Sequence, residues 1–298
     1  MSNAPWRSPQ ELRLIAEIRD ARFTSGVRCV RCGSPRVCRW GGFSGRQRYR
    51  CAACRRTFSD LTGTPAAYLK RLPLLPSYRE CLAASLSVRT SARMAGVHPS
   101  TSFRWRHRLL AANRLITMGT MCGLVELEEG FVRCTDGGHL MELPIGHRRS
   151  RMNPAWVRSW LMVARDRRGR AAIAFSGFSR PGRALWAVML DTYVDADSIV
   201  LTRAPRLSPQ GGAARENALP ILSCRQKWRG RSPDPLAHLG HASALLDRFR
   251  SWLRRFRGVK SIYLDNYIMW HGLIDRARTS ERRIEQLLYW PCAPPSSM

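Results

Sequence analysis

Acidic residues are scarce: the 298-residue chain carries 21 Asp plus Glu against 50 Lys plus Arg, a formal charge of +29. That shortage argues against an ordinary neutral enzyme of small metabolites. Lysine is nearly missing too, with only Lys70, Lys227 and Lys260. A coding bias toward GC accounts for the choice of Arg over Lys, but not for the deficit of acids. No run approaches the roughly 18 apolar residues of a membrane span, and the first residues lack the basic-then-apolar layout of a signal peptide. The expected location is therefore the cytoplasm, associated with the nucleoid, with no membrane partner. There is no internal repeat. What is present, 44% apolar and 9% aromatic residues, is too much for a disordered basic tail and enough for two or three domains.

A large positive excess on a folded chain points to a polyanionic partner, because each basic group set against a phosphate releases condensed counterions. Nucleic acid ranks first and anionic membrane second. Divided at residue 120, the chain carries +17 before and +12 after, so both halves are basic. In a reducing compartment its ten Cys are metal ligands before they are disulfides wherever they stand in close pairs.

The pattern predicts a multidomain α+β protein. Residues 1–26 contain a lead-in helix with Leu12, Ile15 and Ile18 at helical spacing, and 27–65 form a Cys, Gly and Arg-rich module of short strands. Residues 66–118 are helical with a tight turn from Gly96 to Pro99. Residues 121–258 switch to strands: GLVELEE, a hairpin turning at Arg168-Gly169, a helix over RALWAVMLDTYV, and the strand SIVLT, together an α/β core. Within it, 204–235 reads as a long loop. Helical patterns run from about Leu236 to Leu288, and 259–298 reads as a helical tail.

Cys29 and Cys32, then Cys51 and Cys54, form two C-x2-C pairs across an 18-residue spacer. Four thiolates at that spacing can meet one zinc ion tetrahedrally, as a structural site without an open position. Two redox dithiols or four free thiols are the alternatives. Cys38, inside the spacer, is an extra thiol. Arg46, Arg48, Arg50, Arg55 and Arg56, interleaved with Tyr49 and Phe58, suit a small β module lying on a phosphate backbone.

Residues 81–110 place a helix with Leu82, Leu86 and Val88, the Gly96 turn, and a second helix opened by Pro99, which matches helix-turn-helix spacing. Thr101, Trp105 and Leu109 share an inward face, leaving Ser100, Arg104, Arg106 and His107 for bases and phosphates. A hairpin of helices that merely packs is the alternative. Glu126, Glu128 and Glu129 end the first core strand, where metal-dependent phosphodiester chemistry or a solvated strand end are both open; alternation puts Glu126 and Glu128 on one face and Glu129 on the other. Five Arg within 248–257, Arg254 and Arg255 among them, alternate with Trp252 and Phe256. The rings suit packing and the Arg face suits DNA.

These residues resemble the zinc-ribbon insertion-sequence transposases of the DDE class, whose ribbon and helix-turn-helix precede an ISXO-like transposase domain. The likeness lies in YRCAACRRTFSDLTGTP, LSVRTSARMAGVHPSTSFRWRHRLL, LVELEEGF and FRSWLRRFRGVKSIYLDNYIMWHGLIDR. It implies an RNase H-like core over 121–258 in which three acidic positions hold two Mg ions for DNA strand cleavage and joining. The chain departs from that pattern at all three. Glu128 stands where the family has Asp, Thr202-Arg203-Ala204 follows the strand that should end in the second Asp, and the third position falls near Ser243, with Asp247 one turn later. The expectation is a transposase-like, zinc-dependent protein that binds double-stranded DNA, works as a homo-oligomer and is catalytically impaired. The alternatives are an active transposase using Mg with Glu128, Asp247 and an acid such as Glu216 or Asp234, and a scaffold binding RNA or a partner protein.

Overall fold

The computed structural model describes residues 8–43, 46–113, 119–135, 156–202, 221–223 and 240–279. They form two compact units, 8–113 and 119–279. The first opens with helix α1 (Pro9–Arg22), started by Pro9 and by Ser8, whose hydroxyl accepts from the Glu11 N–H at 3.3 Å. It buries Leu14, Ile15 and Ile18, while Leu12 stays exposed. At 100° per residue Leu12 sits about 120° from Ile18, off the inward face.

Strands β1 (Val37–Phe43), β2 (Arg46–Cys51) and β3 (Thr57–Ser59) pair antiparallel in that order. Their core is small: Tyr49 stacks on Phe58 at 5.3 Å, beside Cys29, Cys51, Phe23, Val27 and Val37. Burial pushes the Tyr49 phenol up to about 12, and its hydroxyl donates to Asp60 at 2.9 Å. Arg22 donates to the Asp60 carbonyl at 2.8 Å, so the end of α1 is tied to the end of the sheet.

Helices α2 (Leu75–Ala83), α3 (Val88–Met94) and α4 (Pro99–Asn113) follow. The sequence predicts one helix through Leu82, Leu86 and Val88; the chain breaks it in two. Ser85 takes a left-handed φ of +55°, the Leu86 N–H returns to the Cys81 carbonyl at 3.0 Å and the Ser85 N–H to Leu82 at 2.9 Å. That closes α2 in a Schellman turn, with serine where glycine would be strain-free. Ser87 then caps α3, accepting from the Thr90 N–H at 3.1 Å. The same closure recurs at Gly96, with φ +61° and Val97 N–H on the Ala92 carbonyl at 2.9 Å, and sets the corner between α3 and α4.

The second unit is built on strands β4 (Leu124–Thr135), β5 (Trp156–Asp166), β6 (Ala171–Gly177), β7 (Ile199–Thr202) and β8 (Ile221–Ser223), in spatial order β6-β5-β4-β7-β8. The first three pair antiparallel, and β7 and β8 extend β4 in parallel. Asp166 closes the β5–β6 turn by accepting from the Arg170 N–H at 2.8 Å. Helix α5 (Arg183–Tyr193) lays Trp186, Met189 and Leu190 on one face, over Val125, Leu127, Met162, Ala164 and Val200. Helices α6 (His241–Leu253) and α7 (Leu264–Thr279) pack on the sheet's other face, α6 on β4 and β5, α7 on β6. Alternation along β4 separates the two faces.

Three expectations change here. Glu126, Glu128 and Glu129, expected to end the first core strand, stand inside β4, which runs on to Thr135. Within 204–235, read as loop, Ile221–Ser223 joins the sheet as β8; three residues are too few to show a period. The tail at 259–298 begins, in α7, as a layer of the second unit. The long helical pattern is interrupted where Arg257 (φ +49°) and Gly258 (φ +112°) turn the chain. Residues 203–220, 224–239 and 280–298, including Arg203, Glu216 and Asp234, lie outside the described residues.

Candidate metal centre and nucleic-acid interface

Each C-x2-C pair sits on a tight knuckle. The residue after the second Cys is left-handed in both, Gly33 at φ +71° and Arg55 at φ +59°. The Gly33 N–H bonds the Cys29 carbonyl, and the Cys51 N–H bonds the Arg56 carbonyl, at 2.9 and 3.0 Å. Spacing thus becomes geometry: the four sulfurs of Cys29, Cys32, Cys51 and Cys54 lie within 4.8 Å of one another. Sγ of Cys29 is 3.6 Å from that of Cys54, and Cys32 is the same distance from Cys51. A zinc tetrahedron with bonds of about 2.3 Å has sulfur–sulfur edges of about 3.8 Å, so the cage fits that ion. Cys29 and Cys51 are buried, Cys54 half-buried and Cys32 exposed. The Cys51 thiol is held down to about 6, first by the Cys54 N–H and also by that of Ala53, which favours the thiolate a metal needs. Cys38 stands outside the cluster on β1, its thiol toward the Arg50 carbonyl.

Around this cage Arg55 and Arg56 are exposed and Arg48 is half-buried, donating to the Thr57 hydroxyl at 3.3 Å. Arg254 and Arg255, on the second unit, are exposed. Tyr49 and Phe58 turn inward; the aromatic that faces solvent is Trp40, 48% exposed, with the Arg50 guanidinium 4.6 Å from its ring centre. Nothing in the charge pattern singled it out.

On α4, Ser100 and Arg104 are exposed, and His107 is half-buried against the Phe103 ring at 4.4 Å. Arg106 is corrected: it is wholly buried. Its guanidinium donates to the Leu86 carbonyl at 2.5 Å and to the Ser91 hydroxyl at 3.3 Å, pinning the start of α3 to α4. Six positions beyond Ser100 is about 240° around a helix, the far side from Ser100. The positions that do share a face are Ser100, Phe103, Arg104 and His107, so Phe103 is the residue the sequence reading missed. Behind them Trp105 meets Tyr78 edge-on at 5.4 Å, and the Tyr78 hydroxyl bonds the Ser102 carbonyl and hydroxyl. Arg106→Ala should therefore cost about 2 kcal/mol of stability, through carbonyl and hydroxyl groups left unmatched, while exposed Arg104→Ala should change it by less than about 0.5 kcal/mol. Thermal melts of the two variants check this.

The carboxylates of β4 reach α6. Glu126, fully buried, accepts from the His241 and Ala242 N–H groups at 2.7 and 2.9 Å and pairs with Arg167 at 2.7 Å. It caps the helix from the sheet face beneath it, where the helix dipole favours an anion. Glu128 accepts from the Ser243 hydroxyl at 2.9 Å. Glu129, on the other face, pairs with Arg180 at 2.6 Å. Asp247 does not join them: its side chain is 71% exposed and holds Arg250 at 3.1 Å. These acids do not fit a two-magnesium centre. Glu126 caps a helix, Glu128 binds a hydroxyl, and Glu129 and Asp247 are each turned to a guanidinium. The four cysteines are the only group of metal-ligating side chains close enough for one ion among the described residues.

In comparison with known proteins, 51 residues of the chain, 17% of its length, are 45% identical to an uncharacterized protein in transposable element ISH50 from Halobacterium salinarum. The match spans 16% of that relative. No family model matches the chain, and no solved structure does. No helix among the described residues is long and apolar enough to cross a membrane.

Proposed function

We propose that this chain is a transposase-like, zinc-dependent protein that acts by binding double-stranded DNA and has lost metal-dependent strand chemistry. The observation that carries the reading is the exposed face of α4, Ser100, Phe103, Arg104 and His107, presented within the same compact unit as a four-cysteine cage. Two helices joined at Gly96 support a helix-turn-helix, with α4 entering the major groove. Arg48, Arg55 and Arg56 contact phosphates beside it, and Arg254 and Arg255 add phosphate contacts from the second unit. The mixed five-stranded sheet with helices on both faces supports an RNase H-like core, and the partial likeness to a transposable-element protein supports the same origin. The protein works as a homo-oligomer on paired DNA ends.

The test is a binding and nicking assay on labelled duplex from the flanks of its own gene, with Mg or Mn present. Specific binding without nicking is expected. Arg104→Ala should weaken specific binding by about 1–3 kcal/mol, and Arg56→Ala should weaken all duplexes alike and lower the salt slope by about one. Nicking that disappears in Glu128→Gln would overturn the reading in favour of an active transposase.

A further inference from the structure

β4 pairs with β7 only from Leu124 to Leu127. Farther along β4, the Arg250 Nε donates to the Phe131 carbonyl at 3.1 Å, and the Thr135 N–H donates to the Val259 carbonyl at 2.9 Å. Here the second unit carries a groove of about 350 Å³, lined by Trp156, Val259, Arg133, Arg250, Arg254 and Arg257 among others. Among the described residues no carboxylate lines it. Asp247, three residues before Arg250, already holds that guanidinium at 3.1 Å. The turn at Arg257 and Gly258 brings the chain over the indole: a side chain at 258 would stand 3.7 Å from the Trp156 ring.

Four cations, an aromatic plane and an apolar wall in one concave site match a chain of phosphates carrying flat apolar rings. A duplex offers only base edges to a protein, because its base faces are stacked on one another. An unpaired strand offers the faces themselves, and stacking on an aromatic side chain is its usual mode of capture. The volume is that of a site for a small organic group, at the lower end of about 300–1,000 Å³. Among the described residues the groove's charged side chains are all donors suited to phosphate, and a uridylate strand, which differs in its 2′-hydroxyl, is the comparison that separates RNA from DNA.

The geometry points to a binding site for unpaired single-stranded DNA, with a base stacked on Trp156 and the flanking phosphates on Arg133, Arg254 and Arg257. Arg250, held by Asp247 and the Phe131 carbonyl, sets the wall. This site goes beyond the duplex reading and does not depend on it.

The test measures fluorescence anisotropy of a labelled oligothymidylate and of a hairpin duplex with full-length zinc-loaded protein. Trp156→Ala should weaken the oligothymidylate roughly tenfold and leave the duplex unchanged. Arg257→Ala and Arg133→Ala should each lower the single-strand salt slope by about 0.7. Trp156→Phe, which keeps a ring, should stay within about threefold and carries the test if the alanine variant unfolds. Wild-type affinity in Trp156→Ala, equal losses on both DNAs, a Trp156→Phe loss as large as that of alanine, or tighter binding of oligouridylate would overturn it. Stripping zinc separates this site from the duplex reading: specific duplex binding should fall at least about a hundredfold, while the effect of Trp156 on the single strand persists.

Discussion

Removing the metal, or replacing Cys51 by Ser, should unfold the four-cysteine module and reduce specific duplex binding by at least about a hundredfold. The magnitude follows from how little else holds residues 27–65 together. The core there is one Tyr49–Phe58 stack and a few aliphatic side chains around Cys29 and Cys51. Structural zinc contributes about 10–16 kcal/mol of apparent binding energy at neutral pH, as much as the whole stability of an ordinary domain, about 5–15 kcal/mol. Cys51 is the most informative ligand to change because it is fully buried and its thiolate is already favoured by two backbone N–H groups. The measurement is metal content, one zinc per chain, followed by limited proteolysis with and without chelator. New cleavage within 27–65 is the expected result. Specific duplex binding by the metal-free protein would show that the cage does not organise the DNA-binding face.

Asp275→Asn should be a strongly damaging change in the second unit, at about 3 kcal/mol. Asp275 on α7 takes Arg165 from β5 at 2.7 Å and Arg248 from α6 at 2.9 Å. It is the ionic joint of that side of the sheet. The Arg165 and Asp275 side chains are each only 9% exposed, so removing the carboxylate leaves a nearly buried guanidinium without its counter-charge. Arg248 is 37% exposed, and its replacement by Ala should cost less than about 1 kcal/mol. Burial alone would raise the Asp275 carboxyl; the Arg165 guanidinium, with Arg248 behind it, overrides that and holds it below its ordinary value. The folded form therefore binds its proton less readily than the unfolded chain. The stabilisation is complete above the unfolded value of about 3.9 and is lost as pH falls through the lower folded one. Denaturant titrations below pH 4 should show the wild type losing this contribution and Asp275→Asn lacking it. A swap of both partners, Arg165→Met with Asp275→Leu, should come closer to neutral than either single change. Equal stability of Asp275→Asn and wild type would mean that the pair is decorative.

The cage was the most legible part of the chain, because ligand spacing survives any detail of packing: two C-x2-C pairs had to meet if they met one ion. The strands were legible where apolar and polar residues alternate, and alternation alone set Glu126 and Glu128 toward one layer and Glu129 toward the other. Less legible was what those acids do there, since the groups they bind, the N–H pair at His241 and Ala242 and the Ser243 hydroxyl, lie more than a hundred residues away. The break at Ser85 was hidden because serine is a poor signal for a left-handed turn, unlike Gly96. Arg106 was misplaced for a different reason: charge was taken as exposure, although counting degrees around the helix puts it behind Trp105. Phe103 is the converse, an apolar side chain on the outward face. The packing of α7 was not legible at all, because a helix with charges on several sides does not declare which of them, here Asp275, is the one that goes inside.

The hydrogen bond between Ser243 and Glu128 also bears on how a chain of this kind could change with time. A carboxylate introduced by Ser243→Glu would face Glu128 across the space that a hydroxyl now bridges. Two such groups cannot both ionise cheaply at close range, so one would keep its proton at neutral pH unless a divalent cation entered between them. Glu126 would not help to hold that cation, since withdrawing it uncaps α6 and breaks its pair with Arg167. A step toward a metal-binding surface would thus pass through a protein less stable than the present one, and would be rewarded only after a second acid had appeared. The serine thus makes the present arrangement comfortable and the path toward a metal site uphill.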